Sequence, residues 1–372
     1  MTNRRHLLKG TASLALMSST SSLWLSKAIA ASTGDLVAAA KAAGQTKVVV
    51  TAGTGVYYDA LKELFYDPFT KETGIETVLV NNGGYSEVAT KVRAMSEANA
   101  MEWDVFATTS DTVQSPAFSN YVEDLGDCSK LPNVLSDGID GSCLRKAVLW
   151  AATGNGIAYD ESAFPNGGMT SWADFWDVKK FPGPRALPNF GSPWFVLSAA
   201  LIADGVAPKD VYPLDVDRAL KKLDELRAHI SAWWTSGDQA QQLLRTKEVV
   251  ATMVWNGRVA SLRKEGFPIS FVWDGAMLDA DALGITKGAP HKIAAMALLN
   301  YLYSTPKAAA EFAKRLNYAI PNKHTGDFLD AQVASNLPTA PQNWSKIVKS
   351  DAAWLAENRQ KVIERWTAWI GG

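Results

Sequence analysis

Lys47-Val48-Val49-Val50-Thr51-Ala52-Gly53-Thr54-Gly55 is a β-branched run that ends in a glycine turn, and residues 57–69 after it have helical character. Strand, glycine turn and helix in that order open an α/β sheet, with the turn at the carboxyl end of the strand. The unit recurs. Thr77-Val78-Leu79-Val80 passes through Asn81-Asn82-Gly83-Gly84 into a helix over about 86–98, and Trp103-Asp104-Val105-Phe106-Ala107 closes on Thr108-Thr109-Ser110-Asp111. Three strands thus end in small polar residues, the place where open α/β sheets bind ligands. Gly53-Thr54-Gly55 lacks the third glycine and the later acid of a dinucleotide site, and no P-loop lysine follows it.

Further along, Val148-Leu149-Trp150-Ala151-Ala152-Thr153-Gly154-Asn155-Gly156-Ile157-Ala158-Tyr159 reads as an extended crossing segment bearing glycines. Beyond it lie a short helix behind Ser171, an amphipathic helix over 215–229, a helix from Gly237 and a buried strand over 249–255. The chain is expected to cross back near residues 270–281 and to end in a helix carrying Trp354, Val362, Trp366, Trp369 and Ile370 at core-facing spacing.

The N-terminus reads as an export signal. Arg4-Arg5 precede Leu7-Leu8-Lys9 in a twin-arginine-like run, a Ser- and Ala-rich apolar stretch follows, and Ala28-Ile29-Ala30 suits signal peptidase. Without residues 1–30 the chain carries 33 basic residues (37 less four) against 38 acidic, a formal charge of −5. That balance argues against nucleic acid or an anionic membrane as partner. About 340 residues exceed the size of a typical single core, so two lobes are expected. Cys128 and Cys143 bracket one loop. In an oxidising compartment they read as a disulfide worth roughly 3 kcal/mol, against the alternative of two unrelated thiols. The four histidines are scattered and no metal site is expected.

Taken in order, these pieces resemble the periplasmic solute-binding proteins of ABC importers, in the branch of the spermidine/putrescine-binding proteins. The resemblance rests on Asp67-Pro-Phe-Thr-Lys-Glu-Thr-Gly-Ile75, Trp103-Asp-Val, Gly154-Asn-Gly-Ile-Ala-Tyr159, Thr170-Ser-Trp-Ala-Asp-Phe-Trp176 and Phe181-Pro-Gly-Pro-Arg-Ala-Leu187. It continues through Met253-Val-Trp-Asn-Gly-Arg258, Phe271-Val-Trp273, Asp281-Ala-Leu-Gly-Ile285 and Tyr318-Ala-Ile-Pro-Asn322. It implies an α/β, two-lobed periplasmic-binding-protein fold of type II whose lobes, joined by hinge strands, close on a ligand. Lobe 1 is expected over 31–150 plus 279–318, and lobe 2 over 155–275 plus 320–372. It further implies a monomer without cofactor or catalysis, located in the periplasm and docking on ABC permease transmembrane subunits, with the N-terminal residues pointing to export by the twin-arginine route.

The departures bear on the ligand. The stretch after Arg185-Ala186-Leu187 lacks the acids that polyamine binders place there, and Asp279 stands where the family has an aromatic. Arg258 follows Trp255-Asn256-Gly257 where polyamine binders have a small residue. Arginine is permanently charged and forks onto carboxylates, so Trp-Asn-Gly-Arg resembles instead the binders of γ-aminobutyrate and opine-like compounds. The expected ligand is a small amine, zwitterionic or polycationic. The candidate contacts are Thr54, Thr109, Asp111, Trp194, Ser236, Trp255, Arg258, Asp279, Asp281 and Tyr318. Indole faces hold an ammonium by cation–π attraction, about 0.5–2 kcal/mol each. Asp281 would pair with the same ammonium and Arg258 with a carboxylate. Two other readings remain open: an exported enzyme using the same cleft, although no nucleophile triad or metal motif is visible, and an iron carrier using Tyr57-Tyr58.

Overall fold

In the computed structural model, which describes residues 32–81, 85–189 and 191–372, eight strands form one sheet. They are β1 (Lys47–Thr51), β2 (Glu76–Val80), β3 (Val105–Thr109), β4 (Ala147–Asp160), β5 (Arg185–Pro188), β6 (Ile230–Trp234), β7 (Ala251–Trp255) and β8 (Ile269–Ile285), in the order β2-β1-β3-β8-β4-β7-β5-β6. The expected signal segment lies outside the described residues, as do positions 82–84 and 190.

β4 and β8 are the long strands, paired antiparallel from Ala147↔Gly284 to Asp160↔Ile269. One end of this ladder carries β3 beside β8, with Thr109 opposite Asp281. The other end carries β7 beside β4, with Asn155 opposite Trp255. The pairs β1–β2, β5–β6 and β5–β7 are parallel, as strand–helix–strand connections require. The apolar side chains segregate accordingly. One core gathers Val48, Val50, Phe65, Phe69, Trp150, Leu298 and Phe312, and another gathers Trp172, Phe175, Trp194, Leu197, Leu223 and Met253.

The quoted motifs are structural anchors. The Asp104 carboxylate, fully buried, accepts from the amide of Val49 and from the amide and Nδ1 of His291, so it ties β1 to the start of the helix Lys292–Tyr303. Buried Arg185 donates to the carbonyls of Phe175, Gly183 and Phe181, which staples the Phe181-Pro-Gly-Pro loop beneath β5. Ser171 caps the helix Trp172–Trp176, and the Trp172 indole donates to the carbonyl of Gly275. The glycines of the crossing segment are demanded by close approach. A Cβ on Gly154 would lie 2.3 Å from the Trp273 ring, where β8 bulges out against β4.

The expected helix over 57–69 is interrupted. It runs as Gly55–Leu61, a π-helical turn Lys62–Tyr66, then Asp67–Thr73. Pro68 is the physical reason. It has no N–H to give residue 64 and its ring crowds that carbonyl, so the chain widens by one residue and the amide of Asp67 reaches back to Lys62.

Cys128 and Cys143 are bonded, with Cα atoms 6.1 Å apart. The C-terminal helix Ala352–Gly371 buries Leu355, Val362 and Trp366. Among the described residues no helix is long and apolar enough to cross a membrane.

Candidate ligand-binding cleft

Asp279 and Asp281 sit two apart on β8 and therefore on one face of the strand. Oδ2 of Asp279 accepts from Nε1 of Trp255 at 2.8 Å. Asp281 accepts from the Tyr57 hydroxyl at 3.4 Å and from the Tyr85 hydroxyl. Both carboxylates are enclosed by neighbouring groups yet still reached by solvent. Burial pushes the Asp281 carboxyl up to about 7. The Tyr85 bond opposes the rise, the nearby Asp279 charge adds to it, and the Tyr57 bond opposes it. Burial also raises Asp279, against the Trp255 bond. Asp281 lies inside a strand, so it is not a helix cap.

The four residues Trp255-Asn256-Gly257-Arg258 each have a separate task. Trp255 ends β7, orients Asp279 and packs its ring 5.2 Å from that of Trp234. Asn256 accepts from the amide of Gly154 at 2.9 Å and donates to the carbonyl of Asn317, joining the crossing strand to the turn before Tyr318. Gly257 is tight against that tyrosine, since a Cβ there would lie 3.3 Å from its ring. Arg258 lies along the N-terminus of the helix Gly237–Arg245 and pairs through Nη1 with Asp238 at 2.5 Å. The Asp238 side chain is 85% exposed, so this pair is worth at most about 1 kcal/mol.

Tyr318 joins the two groups. Its ring is 6.4 Å from that of Tyr57. Burial raises its hydroxyl, the Arg258 charge opposes the rise, and the Asp281 and Asp279 charges add to it. One phenol therefore feels both the acids and the arginine.

Asp111 is the third carboxylate. Burial pushes it up to about 6, against the charge of Arg359 and with that of Asp279. Arg359, from the C-terminal helix, places its guanidinium 4.6 Å from the centre of the Trp194 ring. Trp194 is only 1% exposed. The structure thus corrects its expected place in the ligand's contact surface. The apolar helix Pro193–Ala203 carries its indole into the core, and Arg359 covers the ring instead.

Three candidates stand at helix starts. Thr109 and Ser236 accept from the amides of Thr112 and Gln239 as N-caps. Exposed Thr54 precedes the helix Gly55–Leu61 without capping it. Tyr57, Tyr85 and Arg359 were not among the expected contacts. Their relevance arises from partners more than 160 positions away, and only Tyr57, just after the Gly53 turn, had a local signal. The iron reading finds no support, because the Tyr57 hydroxyl is engaged by Asp281. Among the described residues no group of three His, Cys, Asp or Glu side chains could hold a metal.

Two carboxylates raised by burial, bonded by an indole and two phenols, share one electrostatic neighbourhood with Tyr318 and Arg258. Comparison with known proteins places the chain in a family. Residues 65–342 match the family described as bacterial extracellular solute-binding protein. The chain is 31% identical to a γ-aminobutyric acid-binding protein of Pseudomonas aeruginosa, over 89% of this chain and 93% of the relative. It is 25% identical to the spermidine/putrescine-binding periplasmic protein of Escherichia coli, over 80% and 86%. Its fold superposes on the binding protein AttC of Agrobacterium tumefaciens C58, solved open and unliganded, with a TM-score of 0.79 at 36% identity, over 87% of this chain and 99% of that one. The two-lobed α/β architecture expected from the sequence is therefore the one observed, and the chain belongs to the bacterial extracellular solute-binding proteins that serve ABC importers.

Proposed function

We propose that this protein captures a small zwitterion with an ammonium at one end and a carboxylate at the other, a γ-aminobutyrate-like compound, and delivers it to an ABC permease from the periplasm. Export by the twin-arginine route and lobes over 31–150 plus 279–318 and 155–275 plus 320–372 are part of this reading. The observation that supports it is that the Tyr318 phenol, close against Gly257, feels the negative charges of Asp281 and Asp279 and the positive charge of Arg258.

An ammonium between the two acids would replace their mutual repulsion with two charge-assisted bonds, while the Trp255 and Tyr318 rings offer their faces. The ligand carboxylate would meet Arg258 and the amides at the start of the helix Gly237–Arg245. Closure of the lobes removes water and strengthens both ends. A pure polycation is disfavoured, because its far amine would face Arg258. The similarity to a γ-aminobutyric acid-binding protein supports the same choice.

Mass spectrometry of the small molecules released when freshly purified protein is denatured tests this directly. An amino acid with separated charges is expected. Release of putrescine or spermidine alone would refute the reading.

A further inference from the structure

A groove of about 170 Å³ lies between the helices Asn256–Lys264 and Ala331–Ser335. Engineered cavities of roughly 150 Å³ admit a benzene ring. One helix lines the groove with Val259, Ala260, Arg263 and Lys264, spaced three and four apart and so on one face. The other helix supplies Val333, with Asn336 and Leu337 just past its end. Phe271 and Trp273, alternate residues of β8, complete the wall with their rings edge to face at 4.7 Å. Both are half-buried, so solvent reaches them. The crossing strand backs both rings. A Cβ on Gly156 would lie 2.8 Å from the tip of Phe271, as one on Gly154 would meet Trp273. Trp255, Asp279, Asp281 and Tyr318 do not line the groove, which is therefore separate from the site described above. Arg263 and Lys264 are exposed. Arg263 donates through Nε to the carbonyl of Ile269 at 2.6 Å and through Nη1 to Oδ1 of Asn336 at 3.5 Å, and Lys264 donates to the carbonyl of Lys314. Neither cation meets a carboxylate among the described residues, and no Asp or Glu lines the groove.

We propose that this groove is a second ligand site, taking an aryl carboxylate with its ring against Phe271 and Trp273 and its carboxylate at Arg263 and Lys264. Apolar walls with a few convergent polar groups are what small-molecule sites present. A guest ring extends an edge-to-face pair that is already formed. The two rings, pinned against the crossing strand, need no rearrangement to receive it, which lowers the cost of binding. The charge pattern selects the sign. Two cations without a carboxylate attract an anion, and a guanidinium forks onto one. An ammonium would meet both cations and no acid. The site goes beyond the cleft reading and does not rest on it, since the two sites have different walls.

The test is calorimetric titration of the mature protein with 3-phenylpropionate, 3-phenylpropan-1-ol and 3-phenylpropylamine. The acid should bind saturably with a Kd of about 1 mM or tighter, at least about fivefold below that of the alcohol, and the amine should not bind. Ala260→Leu fills the groove from one helix with a good helix former and should remove binding of acid and alcohol alike. Val333→Phe fills it from the opposite wall and should do the same, with melting curves to show that each variant folds. Lys264→Gln should weaken the acid by about threefold and leave the alcohol unchanged. The Kd for 4-aminobutyrate should not change in either filled variant, and a parallel loss there would overturn the separate site. No saturable binding of the acid up to about 10 mM, equal binding of acid and alcohol, or acid binding that survives both filling substitutions would overturn it as well.

Discussion

The indole N–H of Trp255 donates to the Asp279 carboxylate at 2.8 Å, across 24 positions of sequence and from β7 to β8. It holds that acid beside Asp281, whose carboxyl burial raises to about 7. With Asp111, raised to about 6, the protein holds three acids that ionise only at a cost.

That cost predicts a pH dependence. Asp281 stays protonated in the folded protein up to about pH 7, whereas an unfolded Asp ionises near 4, so between those values the folded state binds more protons. The empty protein should therefore lose stability as pH rises from about 4 through 7, and Asp111 adds to the loss below about 6. Melting curves in matched buffers at pH 5 and pH 8 should show the higher midpoint at pH 5. The reverse order would mean that the acids are paired in the empty cleft.

Asp281→Asn should abolish most of that slope and leave the empty protein at pH 8 as stable as the wild type or more so. It should also weaken ammonium ligands by about tenfold or more, the worth of a charge-assisted bond. Melts with and without ligand separate these effects, because a ligand stabilises only the state that binds it. A large fall in the empty variant's midpoint would assign Asp281 a structural role through Tyr57 and Tyr85.

On the proposed reading, Asp238 competes with the ligand for Arg258. Asp238→Ala removes a pair that is mostly exposed, so stability should change by less than about 1 kcal/mol. Affinity for a carboxylate-bearing ligand should rise, as measured by calorimetry. A loss of affinity would show that Asp238 orients the guanidinium productively.

The Cys128–Cys143 bond closes a loop of 15 positions, and removing both thiols by Ser substitution should cost about 3 kcal/mol. Urea unfolding with intact and reduced protein measures it. Two thiols titrating in denatured, unreduced protein would contradict the bond.

Much of the fold was legible because it is written locally. Apolar strands ending in Gly, Thr, Asn and Asp marked the sheet's ligand edge, and the glycines at 154 and 156 marked the crossing strand. The Trp-Asn-Gly-Arg run also carried its information within four residues. What escaped depends on distant partners. Tyr57 meets Asp281 across 224 positions, and Arg359 meets Trp194 from the C-terminal helix. Trp194 misled because an indole after a Gly-Ser-Pro turn reads alike whether it faces a cleft or the core. The π-helical turn has no local signature, because Pro68 suits a first helical turn as well as an interruption.

Recognition of both signs of charge in one cleft is the core of the proposed function. Its most direct measurement is calorimetric titration of wild type and Arg258→Ala with 4-aminobutyrate and with putrescine, side by side. Wild type should prefer 4-aminobutyrate, and the variant should lose about 1.5–3 kcal/mol for it, the range for a hydrogen bond to a charged group. The variant's affinity for putrescine should be unchanged or improved. Equal losses for both ligands, or a wild type that prefers putrescine, would contradict it.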